Sequence, residues 1–278
     1  MDARLVRAYL NALPDAPPDA RSVERVRACL ASLQSPDVRY LVASVSGPGA
    51  RAIADVAAAV LRSAGARTGI LDGSLAASSV DGAPLDDALI ASAGTVSASA
   101  AHTLARTDPH LGDLGRRDAE VTLLFAAFAG SGQRVVLVVD EEVNALDPAH
   151  APLVDLAVIA GADAATFDTA LSLVPEGRPV VVGSLDPALR ARAEERLAAL
   201  GVPALIAGRD HRIDARDGVL TFVVRDAPYV SFPAPRGLAL DHIAAGIATA
   251  LALGVMGIRM REEWVTAGIA ALAEPAVA

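Results

Sequence analysis

The stretch Tyr40–Asp72, YLVASVSGPGARAIADVAAAVLRSAGARTGILD, constrains the fold more than any other part of the chain. An apolar run ends in the small-residue turn SGPG, an alanine-rich amphipathic segment follows and stops at Gly65, and a second apolar run closes the unit. Two short strands joined through a helix make a βαβ crossover, which sets the strands parallel in one sheet with the helix on its face. Such a unit also presents a helix N-terminus at the carboxyl end of its first strand, a place that favours anions.

The same alternation runs through the chain. Periodicity predicts helices over 2–13, 20–33, 50–64, 97–107, 117–130, 165–173, 187–200, 238–253 and 261–273. Apolar runs predict strands over 39–45, 67–71, 134–139, 154–159, 179–183 and 203–206. Residues 73–95, rich in Ser, Gly and Ala, read as a loop with a short helix at 85–91. Residues 211–232 alternate around Asp217-Gly218, a hairpin signal that predicts antiparallel edge strands on the sheet. The whole pattern predicts an α/β fold with a doubly wound, mostly parallel sheet flanked by helices and a late antiparallel hairpin. It reads as a single domain over 1–278, with 1–36 as a helical lead-in.

Composition narrows the chemistry. Of the 278 residues, 53% are hydrophobic, mostly Ala and Val, which suits close-packed helices on a sheet. Net charge is −9 and aromatics are 3%, which excludes a basic nucleic-acid surface and base-stacking platforms. No lysine occurs, so a Walker lysine, a Schiff-base lysine and a carbamylated lysine are all impossible. The one cysteine, Cys29, lies in a helical pattern and reads as core filling. The first twenty residues lack a basic region followed by an apolar run, so no signal peptide is expected. The apolar run at 242–258 is short and rich in Ala and Gly, so a buried helix rather than a membrane span is expected. The expected location is the cytoplasm.

Candidate site residues cluster at the turn. Ser46, Gly47 and Gly49 could present backbone groups to an anion, and Arg51 follows at the helix start. Asp72 ends the next strand at about the spacing of a ribose-binding acid, and GPGARA half fits a dinucleotide fingerprint that ends in alanine. Asp140, Glu141 and Glu142 follow the apolar run RVVLVV, at a strand's carboxyl end where ligands bind in open α/β sheets. The other reading of each is structural: SGPG as a plain strand-to-helix turn, and the three acids as a solvated loop. His102, His110, His150 and His211 show no metal spacing, and no GxSxG elbow is present.

Several segments in order resemble the central ATPase domain of the Mur ligase superfamily, and within it the folylpolyglutamate synthase branch. SGPGARA at 46–52 stands where that family has its GTNGKGS loop, and RTGILDGS at 67–74 stands at its next strand. RVVLVVDEEVNALDPAHAPLVDLAVIAGAD, PEGRPVVVGSLDPALRARAEERLAALGVPALIAGRD, RGLALDHIAAGIATALALGV and WVTAGIAALAEPA at 264–276 resemble later family segments. The resemblance implies a P-loop nucleotide fold, with ATP and Mg as the family's cofactors. It implies phosphate contacts at 46–52 and a metal carboxylate at Asp140 or Glu141. It also puts Ala50 at the lysine position, Ala52 at the serine position and Ile243 at the adenine-side asparagine. The family's metal histidine is absent from AGADAATF, where Asp163 is the nearest ligand type. The chain ends where the family's C-terminal domain would start.

The expectation is therefore a catalytically inactive Mur-ligase-like scaffold or regulatory partner, with no cofactor, forming a homo-oligomer or a heteromer with another protein. The alternatives are a divergent ATP-dependent amide (C–N) ligase using Arg51 on phosphate and Asp140 or Glu141 on Mg, or a nucleotide or dinucleotide binder using Asp72. No nucleic-acid or membrane partner is expected.

Overall fold

The computed structural model describes residues 1–273. In chain order the elements are α1 (Ala3–Ala12), α2 (Ser22–Ser32), β1 (Leu41–Ser46), α3 (Ala50–Ser63), β2 (Thr68–Asp72), β3 (Ser74–Val80), β4 (Ala83–Pro84), α4 (Asp87–Thr107), α5 (Arg116–Gly130), β5 (Val135–Asp140), β6 (Leu156–Ile159), α6 (Phe167–Ser172), β7 (Val180–Val182), α7 (Pro187–Ala199), β8 (Ala204–Ile206), β9 (His211–Arg216), β10 (Val219–Val224), β11 (Ala227–Pro233), α8 (Leu240–Val255) and α9 (Glu262–Ala273). The expected match at 264–276 runs past residue 273 and there lies outside the described residues.

Eight strands form one sheet in the order β4-β3-β2-β5-β1-β6-β7-β8, and β11-β10-β9 form a separate three-stranded sheet. β1 pairs parallel with β6, β6 with β7 and β7 with β8, as βαβ crossovers require. The sheet is mostly parallel and flanked by helices, as the alternation predicts. Short fully buried strands such as Val135–Val139 and Leu156–Ile159 carry no polar face because helices cover both sides.

Two expectations need correction. Residues 73–95 are not a loop: β3 and β4 form antiparallel pairs beside β2, and α4 begins at Asp87. The overlooked signal is Asp81-Gly82, both with positive φ (52° and 86°), a tight hairpin turn of the kind credited only at Asp217-Gly218. The start of α4 is set by Asp86, whose carboxylate accepts the Leu89 N–H at 2.7 Å. The late hairpin, in turn, does not edge the main sheet. With β11 added it forms its own sheet, turned at Asp217-Gly218 and again at Arg225-Asp226, where φ is also positive.

The chain divides into two compact units. The first comprises Met1–Val42, Arg67–Val138 and Asn144–Val154. Its core joins Leu71, Phe125, Phe128, Val136 and Val138 to Val6, Leu10, Val26 and Leu30 from the first two helices. Tyr40 stacks on Phe125 at 6.5 Å and donates its hydroxyl to the Phe125 carbonyl at 3.1 Å, so its buried polar end is satisfied. A buried ion pair joins Arg25 Nε to Asp118 at 2.6 Å, and Asp19 and Ser22 take further guanidinium hydrogens. Breaking either partner would leave a buried charge, the costly case for such pairs.

The second unit comprises Ala43–Ala66, Val139–Val143 and the chain from Asp155 onward. One core there is built by Ile159, Phe167, Val180, Val182, Leu197 and Ile206. α3 packs on α8 and α9, with Val56 facing Gly246 and with Ala59 and Val60 facing Gly268. The approach is close: a Cβ on Gly246 would lie 2.5 Å from Val56, and one on Gly268 would lie 2.6 Å from the Val60 backbone. Glycine on α8 and α9 thus lets these helices pack on α3 at short range. No helix of the described residues is long and apolar enough to cross a membrane.

Candidate functional site

The strand-to-helix turn lies in the second unit. β1 runs buried to Ser46, whose carbonyl accepts the Ala160 N–H at 2.8 Å, and α3 starts at Ala50. Between them Gly47 (φ 103°) and Gly49 (φ 86°) take conformations that L side chains rarely adopt. Space is also short. A Cβ at Gly47 would sit 2.0 Å from the Gly161 carbonyl oxygen, and one at Gly49 would sit 2.3 Å from Nε2 of His242. Both glycines are therefore required by the turn itself, whatever else they do. The Gly47 N–H is spent on the Asp140 carbonyl at 2.8 Å.

Two further N–H groups, those of Gly49 and Arg51, already hold an anion supplied by the chain. The Glu141 carboxylate accepts the Gly49 N–H on Oε2 at 3.0 Å and the Arg51 N–H on Oε1 at 2.8 Å. A carboxylate bridging two orphan N–H groups of a helix N-terminus is a capping arrangement favoured by the helix dipole. Val143, two residues after Glu141, has φ 56°, a strained conformation for a β-branched residue. Its side chain is buried in the second unit's core with Ala157, Ile159 and Phe167.

The other candidates fall as follows. Arg51 turns its side chain along α3, with Nε 3.0 Å from both Asp55 oxygens. Ser46 is buried, its Oγ 3.5 Å from the Ser44 hydroxyl. Asp140 is half-buried at the end of β5 and Glu142 is exposed. Asp163 closes a turn by accepting the Ala165 and Thr166 N–H groups and the Thr166 hydroxyl, contacts that lower its carboxyl below the usual value. Asp72 belongs to the first unit, where its N–H donates to Ser78 Oγ at 3.1 Å at the end of β2. Ala50 is buried and Ala52 half-buried. Among the described residues, no group of three or more His, Cys, Asp or Glu could hold a metal ion.

The turn thus unites Ser46, Gly47, Gly49, Arg51, Asp140 and Glu141 in one constellation in the second unit, and Asp72 belongs to the first. Sequence reasoning missed His242 as a neighbour of Gly49 and missed the use of Glu141 as a cap. Neither left a local signal, because Glu141 and Gly49 are separated by 92 positions.

No family model matches the chain, and no curated protein does. Solved structures do. Folylpolyglutamate synthetase from Lactobacillus casei is 20% identical with a TM-score of 0.82, over 99% of this chain and 72% of that one. Its apo form gives a TM-score of 0.85 at 18% identity, over 99% and 73%. Mycobacterium tuberculosis folylpolyglutamate synthase complexed with ADP gives 0.80 at 18% identity, over 98% and 66%. At such identities the likeness is one of fold, and the chain has the fold of folylpolyglutamate synthase, a member of the Mur ligase family.

Proposed function

We propose that this protein keeps the Mur-ligase-like framework without its ligase chemistry, and acts through protein contacts as a scaffold or regulatory partner. The observation that carries this reading is the Glu141 carboxylate on the Gly49 and Arg51 N–H groups. The family resemblance puts a nucleotide phosphate at this loop. Here two of the loop's donors, the Gly49 and Arg51 N–H groups, are taken by a negative charge, which would repel a second one. Arg51, the nearest cation in sequence, is turned to Asp55. Alanine stands at the two positions where the resemblance puts lysine and serine, and the chain has no lysine to substitute from elsewhere. The residues present do not fit a magnesium triphosphate at this turn, and no catalytic step is derived through one.

Purified protein incubated with ATP and magnesium should release no phosphate above a blank. Magnesium-dependent hydrolysis would remove the reading in favour of a divergent ligase. Action by contact requires a partner, a second copy or another protein. Light scattering of the pure chain should show a dimer or larger species, or else a defined heteromer should form on mixing with a partner. A monomer that recruits no partner would contradict it.

A further inference from the structure

The first unit carries an open cleft of about 350 Å³ that the turn and its chemistry do not touch. It lies at the lower end of the volumes that hold small ligands. Its floor is apolar, made by Leu10, Leu85 and Ile90, all buried. Its wall is charged. Arg116 is half-exposed, and its Nε donates to Glu120 at 3.1 Å. The Glu120 side chain is only 8% exposed, so a buried carboxylate fixes the guanidinium from one edge. Among the described residues, the two Nη groups of Arg116 make no hydrogen bond. Arg7 also lines the cleft, paired to Asp87 at 2.8 Å by a solvent-exposed contact that is cheap to give up.

The pair with the buried Glu120 carboxylate accounts for Arg116 Nε and leaves its two Nη groups to be explained. Arg116 is the first residue of α5, where the helix dipole disfavours a cation. Tying down a guanidinium by its Nε while its fork faces an apolar-floored cleft is the geometry that receives a carboxylate on two parallel hydrogen bonds.

We infer that this cleft is a binding site for a small organic acid, its carboxylate on the Nη edge of Arg116 and its apolar body on Leu10, Leu85 and Ile90. Arg7 guards the mouth and adds attraction. The site is independent of the proposal for the turn, and neither stands or falls with the other.

Calorimetric titration with 3-phenylpropionate tests it, with the neutral 3-phenylpropanamide as the matched control. The acid should bind saturably at one site, and the amide at least about tenfold more weakly, the usual scale for losing a charged hydrogen-bond pair. Arg116→Gln should weaken the acid by a similar factor. Ala76→Trp, at the exposed mouth, should abolish binding while leaving the buried core untouched. No saturable heat from the acid at about 10 mM, far above the affinity a built site should give, would overturn the assignment. So would equal binding of acid and amide, or acid binding that survives Ala76→Trp.

Discussion

Glu141 Oε1 accepts the backbone N–H of Arg51 at 2.8 Å, so the first turn of α3 is capped by a residue 90 positions away. The contact explains how a turn shaped like an anion cradle is stable with alanine at both chemistry-bearing positions. It also makes Glu141 a stability residue. Glu141→Ala should cost about 1 kcal/mol, the usual worth of a side-chain cap at an exposed helix start. Glu141→Gln, which keeps an acceptor but no charge, should cost less. Urea unfolding should show the midpoint shift with an unchanged slope.

The two glycines of the turn should respond differently to one added methyl. Gly47→Ala drives a Cβ to within 2.0 Å of a backbone oxygen, which cannot be trimmed away, and should cost more than about 3 kcal/mol. Gly49→Ala meets only the His242 ring, plus the strain of its φ of 86°, about 1–2 kcal/mol. Combining His242→Ala with each should recover about 0.5–1 kcal/mol of the Gly49→Ala loss and none of the Gly47→Ala loss. Equal rescue of both would show that the ring is not what Gly49 accommodates.

Val143 offers a test of strain against burial. Val143→Ala removes buried methyl groups and keeps a side chain at φ 56°. Val143→Gly loses one methyl more but releases about 1–2 kcal/mol of left-handed strain. At most positions in regular structure glycine is about 0.5–1 kcal/mol worse than alanine. Here the glycine variant should be at least as stable as the alanine variant, and the ordinary order in denaturant midpoints would refute the strain argument.

His211 should make stability depend on pH. The residue is 2% exposed, Nε2 lies 3.2 Å from the Val182 carbonyl, and Nδ1 has no hydrogen-bond partner among the described residues. Burial pushes the imidazole below its ordinary value of 6.5, with the neighbouring Asp210 pulling the other way. The unfolded chain then takes up the proton first, so stability is lost as pH falls below about 6.5, by at most about 1.4 kcal/mol per unit. The loss stops once pH passes the lowered folded value. In His211→Gln that component of the pH profile should vanish between pH 7 and 5. An unchanged slope there would assign the dependence to other groups.

How far the fold could be read in advance depended on where the information lay. The unit from Tyr40 to Asp72 was legible because strand, glycine turn, helix and strand are encoded locally, and the other parallel strands followed from their apolar runs. β3 was not, because Ser74–Val80 is made of small and polar residues and is held by pairing with β2 and by the Ser78 hydroxyl, not by a hydrophobic stripe. Asp81-Gly82 was a local signal that went unread. At the site, alanine at 50 and 52 and the absence of lysine from the chain were plain in the letters. The acids after β5 were visible too, but their letters suited a metal ligand or a solvated loop, and the cap was not among the readings. Which of these roles Glu141 takes is decided by its contacts with the Gly49 and Arg51 N–H groups, about 90 positions away in the chain.

The central claim is that the turn at 46–52 takes its anion from Glu141 and not from a nucleotide. Calorimetric titration of the purified protein with ATP and magnesium tests it most directly. No saturable heat is expected at millimolar nucleotide, in the wild type and in Arg51→Ala alike. A saturable one-to-one isotherm that Arg51→Ala abolishes would contradict it.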